Sequence, residues 1–376
     1  MAVWRLIDQG VLSPSQPIVD IFPEFGRNGG GKERVTLLHL LTFTAGLPAP
    51  PPHTTPEASA AEFHRMASPE GRAAYFGDLQ LESMPGEAYA YDRSAPWVVA
   101  EIITRATGRD FREYIRGELL EPIGLVDIYC GEALAGKATA ELKFVDGVTR
   151  GADAKPELYG IAVPVLNLPV IRALMVPGGG CCASAADLGL FYQPLLNGGH
   201  VAGRQGEPLI TPATLNRATT VHTDARHYEA LSHGPPLVVL PVLRGWMVEV
   251  AGDDTVQLPP GLRASDGVHG MGGTVAGMDG DTPGKVLRGC FGYSNSAHAF
   301  GHNGAGGQAG WGDPATGISF AFLTNTFSEP RKKRVVDLST LANLCALTQE
   351  EETGASLRAR IVRARDAPAP GIPSRL

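Results

Sequence analysis

The stretch FGHNGAGGQAGWGDPATGISFAFLTN, residues 300–325, decides between two folds. Its "GAGGQA" (304–309) carries the glycine spacing of a dinucleotide-binding turn, which would imply a parallel, doubly wound sheet. Such a turn must open a helix whose N-terminus meets the pyrophosphate. The next residues are "GWGDPATG" (310–317), and that run of glycine, aspartate and proline cannot start a helix. "DPATG" (313–317) is instead a hairpin turn between two strand-like runs. The stretch therefore predicts antiparallel strands. The glycines of 304–309 then mark close approach of the backbone to a neighbouring strand or to a ligand.

Downstream, "EPRKKRVVDLSTLANLCALTQ" (329–349) has the periodicity of an amphipathic helix, and 351–376, ending "APAPGIPSRL", reads as a tail. Upstream, "GGGCCASAADLGLFYQPLLNGG" (178–199) is a glycine-rich turn entering a helix, with Ser184 and Asp187 as a capping box and Gly198 as its stop. "PLVVLPVLRGWMVEV" (236–250) offers strands, and 140–175 offers short strand-like or coil segments.

The first half is helical. "TLLHLLTFTAG" (36–46) predicts a helix with Thr36 as cap and Gly46 as stop. Residues 58–78 predict one polar helix. "SMPGEAYAYDRSAPW" (83–97) is turn chemistry leading into a helix capped by Ser94, with Pro96 in its first turn and Gly108 as its end. Asp110 with Glu113 makes a second capping box, and Phe111, Tyr114, Ile115 and Leu119 form the apolar face beyond it. "MAVWRLIDQG" (1–10) places Val3, Trp4 and Ile7 at helical spacing with no capping residue before them. It reads as the end of a helix whose first turns lie elsewhere. A helical block followed by a strand-rich block closed by a helix is an α+β arrangement.

Composition excludes several classes. Charged residues are 19% and the net charge is −7, which argues against a nucleic-acid binder. The five cysteines show no metal-ligand or disulfide-framework spacing. No apolar run reaches the length of a membrane span and no signal peptide opens the chain, so a cytoplasmic location is the expectation for these residues. His298 and His302 are four apart, but Gly301 between them argues against a helix, and no metal is expected. Vicinal Cys181 and Cys182 precede a helix start, where a thiol could be activated, although buried structural thiols are the plainer alternative. No Gly-x-Ser-x-Gly elbow occurs. Tyr91 sits in a turn just before a helix; taken alone it could simply pack at a loop edge.

In order, these segments resemble the serine β-lactamase-related family: class C β-lactamases, low-molecular-weight penicillin-binding proteins, and esterases and transesterases of the same fold. Residues 2–25 resemble the helix next to the family's nucleophile, and "VTLLHLLTFTAGLP" (35–48) its Leu-Leu-x-His-x-Ser-Gly stretch. Residues 85–125 match its tyrosine segment, and 178–199 and 300–325 its two later landmarks. The resemblance spans about residues 1–350. It implies a β-lactamase/transpeptidase-like α+β fold, with an antiparallel sheet flanked by helices, a helical subdomain, and the first sheet strands not among these residues. It also implies no cofactor, a small-molecule ester or amide substrate, and a Ser/Lys/Tyr acyl-enzyme mechanism. Tyr91 takes the proton-shuttling position, His302, Asn303 and Gly304 the substrate-lining strand, and the Ala305 N–H the oxyanion position. The phenol of Tyr91 and the imidazole of His302 are expected to face one crevice.

The departures are specific. No Ser-x-x-Lys occurs in the 376 residues; in the family it begins the helix that "MAVWRLIDQG" continues. Phe43 and Ala45 stand where the family commonly has His and Ser. Arg93 replaces the asparagine that suits a β-lactam amide, which tilts the expectation toward esters, with Arg93 on the substrate side. An ordinary tyrosine titrates near ~10 and needs a neighbouring ammonium to act as a base at neutral pH. Two outcomes are open: a serine hydrolase presented without the N-terminal segment that carries its nucleophile, whose incomplete sheet would then self-associate or pair with a complementing N-terminal segment, or a non-catalytic relative that binds a ligand or partner.

Overall fold

The computed structural model describes residues 1–48, 55–91, 94–129, 131, 139–144, 163–220, 222–223, 268–270, 273–275, 291–292, 295–296, 298–304, 307–327, 335 and 337–343. The chain divides into two compact units. The first comprises Met1–Phe144, Lys155–Asp187 and Thr223–Gly234; the second comprises Val145–Ala154, Leu188–His222 and Pro235–Leu376.

The first unit is helical. It holds α1 (Ala2–Asp8), α2 (Leu37–Leu41), α3 (Pro56–Met66), α4 (Pro69–Asp78), α5 (Ala95–Thr107) and α6 (Phe111–Ile115). A π-helical turn at Arg116–Leu120 leads into the short α7 (Glu121–Ile123), and α8 (Pro169–Ala173) comes later. Helix α5 is its centre: Trp97, Val98, Ala100, Ile102 and Ile103 are buried around most of its circumference. Such a helix must be covered on several sides, and α1, α2, α4 and α6 pack against it. Phe22, Phe25 and Phe76 complete the core without exposed surface.

Several sequence expectations are met and several corrected. Thr36 caps α2 by accepting from His39 N–H at 3.4 Å, and His39 Nδ1 returns the bond to Thr36 N–H at 3.1 Å. The region 58–78 is two helices, because Ser68 caps α4 afresh and Pro69 supplies its first turn. Ser94 precedes α5 in helical conformation and does not cap it through its side chain. Asp110 does cap α6, but through Arg112 N–H at 2.9 Å, one position short of Glu113. Residues 163–167 and α8 are helical, not strand-like.

A small ladder closes this unit. Strands β1 (Ile128–Tyr129) and β3 (Cys182–Ala183) pair antiparallel, with the two-residue β2 (Lys143–Phe144) between them in sequence. The ladder continues through Ser184 N–H to the Asp127 carbonyl at 3.0 Å. Ser184 caps α9 (Ala185–Leu196) through Asp187 N–H at 3.0 Å. The Asp187 carboxylate does not return the bond as the capping box predicts. It accepts Asp127 N–H at 2.5 Å, a partner 60 residues away that local pattern cannot reveal.

The second unit carries the sheet. Strands β4 (Val268–Gly270), β5 (Gly273–Val275), β6 (Phe300–Asn303), β7 (Ala309–Asp313) and β8 (Ile318–Phe322) run antiparallel in sequence order; β9 (Thr326–Phe327) is two residues long. The hairpin read from "DPATG" is the β7–β8 turn, with Gly317 at φ +70°. Every residue of β7 is buried. Within this unit Leu188, Tyr192 and Leu196, spaced four apart on α9, lie against Gly310 and Gly312. A Cβ on Gly310 would sit 3.0 Å from the Tyr192 ring, and Tyr192 Oη donates to the Gly310 carbonyl at 2.7 Å. Helix α10 (Pro212–Thr219) is capped by Thr211. Residues 337–343 are helical; Ser339 accepts from Trp311 Nε1 at 3.0 Å. Asp313 is a buried anchor that accepts Ser296 Oγ at 2.6 Å, Ser296 N–H at 2.8 Å, Ala315 N–H at 3.0 Å and Asn343 Nδ2 at 3.4 Å. The strands read in 236–250 lie outside the described residues. Among the described residues no helix is long and apolar enough to cross a membrane.

Candidate active site

Tyr91 is held by a strap. Segments 43–46 and 82–90 are tied by three backbone bonds: Ala90 N–H to the Phe43 carbonyl (2.8 Å), Gly86 N–H to the Thr44 carbonyl (2.8 Å) and Glu82 N–H to the Gly46 carbonyl (2.8 Å). Gly46 is required there, since a Cβ would lie 2.1 Å from the Ser83 carbonyl oxygen. Gly46 is not the stop of α2, as the sequence suggested. The helix ends at Leu41, and its closure lies at 43–44, where Thr44 N–H reaches the His39 carbonyl at 2.9 Å and Phe43 N–H reaches the Leu40 carbonyl at 3.3 Å. This paired closure demands a left-handed residue, usually glycine, just past the helix cap. Here that residue is Phe43, at φ +56°. A side chain in that conformation costs about 1–2 kcal/mol. Its ring lies 4.7 Å from that of Tyr91, tilted by 44°, and 6.3 Å from that of Tyr89, edge-on at 79°. Tyr91 is half-buried.

The strap leads into α5, and α5 is anchored by charge. Glu101 accepts from Arg72 Nε at 2.6 Å and from Arg105 Nε at 2.7 Å; Arg105 Nη1 also reaches Glu24 at 2.8 Å. Arg72 and Glu101 side chains are each 1% exposed. Arg105 lies 4.4 Å over the Phe22 ring. The Arg105 hydrogen bond holds Glu24 below the usual carboxylate range.

In the sheet unit, His302 and Asn303 are the last two residues of β6, an inner strand, and Gly304 comes next. They pair with Gly310 and Ala309 of β7. Gly301 lies so close to β7 that a Cβ would meet the Gly310 carbonyl oxygen at 2.2 Å. Gly304 N–H donates to the Gln308 carbonyl at 2.7 Å, and a Cβ on it would lie 2.7 Å from Gln308 Oε1. His302 is half-buried, and its Nδ1–H donates to the Asn303 carbonyl at 2.6 Å. That bond fixes the neutral tautomer with Nε2 as the acceptor atom. Burial pushes the imidazole's pKa down, against the smaller upward pull of the Asn303 bond. At neutral pH His302 is therefore an uncharged polar group. Arg93 and Ala305 lie outside the described residues.

A helical unit with a strapped tyrosine ahead of its central helix, together with an antiparallel sheet carrying His-Asn-Gly at the end of an inner strand, defines the β-lactamase/transpeptidase-like class of α+β proteins. The beta-lactamase family profile matches residues 1–342. The chain belongs to that family of serine hydrolases. It is 25% identical over 339 residues to the esterase/beta-lactamase LipL of Mycobacterium tuberculosis, a match covering 87% of this chain and 67% of LipL. Two solved structures share the fold. A penicillin-binding protein homolog from Caulobacter crescentus has a TM-score of 0.60 at 24% identity, covering 89% of this chain and 78% of its own. EstA from Arthrobacter nitroguajacolicus has a TM-score of 0.61 at 19% identity, covering 91% and 80%.

The sequence pointed to Tyr91 and to His302–Gly304. It missed Phe43 as part of the tyrosine's setting, because nothing in "TFTAG" marks the phenylalanine as the left-handed residue.

Proposed function

We propose that this chain forms the tyrosine- and sheet-bearing part of a carboxylesterase or transesterase working through an acyl-enzyme. The observation that carries the proposal is the strapped Tyr91 turn at the head of α5, in a chain whose residues 1–342 match the family. LipL carries "esterase" beside "beta-lactamase" in its name, and a structure titled a family VIII carboxylesterase shares the fold, so an ester substrate suits the family. Arg93 in place of an amide points the same way.

In this mechanism a serine hydroxyl attacks the ester carbonyl and becomes the acyl-enzyme. Its proton passes to the Tyr91 oxygen, which an adjacent lysine ammonium keeps competent. The alcohol leaves as Tyr91 returns that proton. Water or a second alcohol then repeats the sequence in reverse to release the acyl group. The backbone N–H of Ala305 stabilises the oxyanion. His302, kept neutral by burial, and Asn303 line the substrate. The serine and lysine belong to residues outside these 376, which contain no Ser-x-x-Lys.

The test uses p-nitrophenyl esters. The 376-residue chain is compared with the same chain carrying the upstream reading frame of its gene, searched for an in-frame Ser-x-x-Lys. The extended protein should hydrolyse the ester, Tyr91→Phe should lower kcat by about 10²–10⁴, and the 376 residues alone should be inert. Hydrolysis by the 376-residue chain that survives Tyr91→Phe would overturn the proposal; if Cys182→Ala then removed it, the nucleophile would be the thiol.

A further inference from the structure

We infer that Phe43 is a positioning residue for Tyr91, and that the left-handed strain at Phe43 exists to put an aromatic ring where helix closure alone would select glycine. The inference rests on the proton-carrying role proposed for Tyr91, and three observations support it. Phe43 is one of two non-glycine residues with positive φ in the described chain, at +56°. It occupies the left-handed site of the α2 closure, set by the Thr44-to-His39 (2.9 Å) and Phe43-to-Leu40 (3.3 Å) bonds. A glycine or asparagine makes that closure without a ring and with less strain.

The ring is used by the strap. Tyr89 and Tyr91 flank Ala90 at the end of the strap. Phe43 meets both, at 6.3 Å and 4.7 Å. The Phe43 carbonyl also accepts Ala90 N–H at 2.8 Å, between the two tyrosines. One residue thus holds the backbone of the tyrosine turn through its carbonyl and the aromatic pair through its ring. Rotating Phe43 into ordinary helical or extended space would break both. Strained residues persist where their surroundings over-determine them, and they gather at functional sites. The two aromatic contacts give this strain a purpose that helix closure does not.

The consequence is unusual for a half-buried aromatic. Phe43→Gly should leave the urea midpoint unchanged or higher, because the closure relaxes, while Tyr91 loses its side-chain order. Phe43→Asn, which also tolerates left-handed space, is the second variant should glycine loosen the loop itself. Phe43→Tyr should behave as the parent.

The readout is fluorine NMR of the 376-residue chain labelled with 3-fluorotyrosine. The Tyr91 signal is assigned as the one lost in Tyr91→Phe. The parent and Phe43→Tyr should show it shifted by the neighbouring ring and broadened by slow motion. In Phe43→Gly and Phe43→Asn it should move to the position and narrow width of an exposed fluorotyrosine. A Tyr91 signal unmoved in both variants overturns the inference, as does a lowered midpoint of more than ~1 M urea in both, which would make Phe43 a packing residue. In the esterase-competent extended protein, the same variants should lower kcat about 10–100-fold with KM held. If the Tyr91 signal collapses but kcat is untouched, Phe43 still positions the phenol and the catalytic role of Tyr91 is what fails.

Discussion

Replacing Glu101 by alanine should destabilise the helical unit by about 3–5 kcal/mol, the usual consequence of leaving a buried charge without its counter-ion. The Glu101 carboxylate lies between two guanidiniums, 2.6 Å from Arg72 Nε and 2.7 Å from Arg105 Nε. The two partners respond differently. Arg105 is 26% exposed and keeps Glu24 at 2.8 Å, so water and a second carboxylate compensate it. Arg72 is 1% exposed and, among the described residues, keeps only the carbonyls of Met66 (2.9 Å) and Ala67 (3.0 Å). Most of the loss therefore arises at Arg72. Arg72→Met should be milder, about 1.5–3 kcal/mol, because Glu101 then retains Arg105. The ordering Glu101→Ala worse than Arg72→Met is the sharper expectation. Hydrogen exchange of peptides covering α5, followed through a urea series, isolates this unit from the sheet unit. With a slope of about 2–3 kcal/mol per molar urea, Glu101→Ala should move the midpoint down by about 1–2 M. A shift under ~0.3 M, or an Arg72→Met shift as large as that of Glu101→Ala, would refute the reasoning.

Lys32→Met should cost about 2–3 kcal/mol by the same exchange measurement, because Lys32 Nζ donates to the Phe76 (2.8 Å) and Gly77 (3.0 Å) carbonyls at the end of α4; no measurable change would show those carbonyls find water. Gly301→Ala should break the β6–β7 pairing, since its Cβ would lie 2.2 Å from the Gly310 carbonyl oxygen. Loss of the burial of Trp311, fully buried on β7, would report it as a red-shifted fluorescence, and an unshifted spectrum would contradict it. Glu24→Gln tests the pH sign. Glu24 is held below 4.5, first by the Arg105 hydrogen bond, so its contribution is complete above the unfolded value and disappears as pH falls through the lower folded one. The difference in urea midpoint between parent and Glu24→Gln should narrow as pH falls below 4.5, and a widening difference would reverse the assignment.

Local chemistry was legible from the chain and long-range chemistry was not. Thr36, Asp110 and Ser184 cap their helices as read from the chain, because a side-chain oxygen next to the first turn needs no help from elsewhere. The "DPATG" turn fixed the β7–β8 hairpin for the same reason, and with it the α+β class. The glycines of 304–309 were read as marks of close approach, and Gly304 does sit tight, a Cβ there lying 2.7 Å from Gln308 Oε1; the equally close approaches of Gly301 to β7 and of Gly310 to Tyr192, on either side, were not singled out. Asp187 shows where such reading fails. Its spacing from Ser184 predicts a capping box, yet its carboxylate is taken by Asp127 N–H. The Arg72–Glu101 pair was equally invisible, since Glu101 looks like any polar position on a helix until its partner 29 residues away is placed. For the site, the tyrosine turn and the His-Asn-Gly strand could be found by order and composition. The strain at Phe43 could not, because a phenylalanine gives no sign of a positive φ.

The position of Tyr91 is set by three layers within the helical unit, and each acts on a different part of the chain. The buried ion pair fixes α5 to α4. The backbone bonds from Phe43, Thr44 and Gly46 fix the path of 82–90. The Phe43 ring fixes the side-chain direction at 91. None of these depends on the tyrosine's oxygen. Tyr91→Phe should therefore preserve the strap and the ring contact while removing the group that would carry the proton. That separation makes the substitution a clean test of chemistry: a Tyr91→Phe protein that unfolds early would mean the hydroxyl is a structural strut, and the esterase mechanism would lose its base.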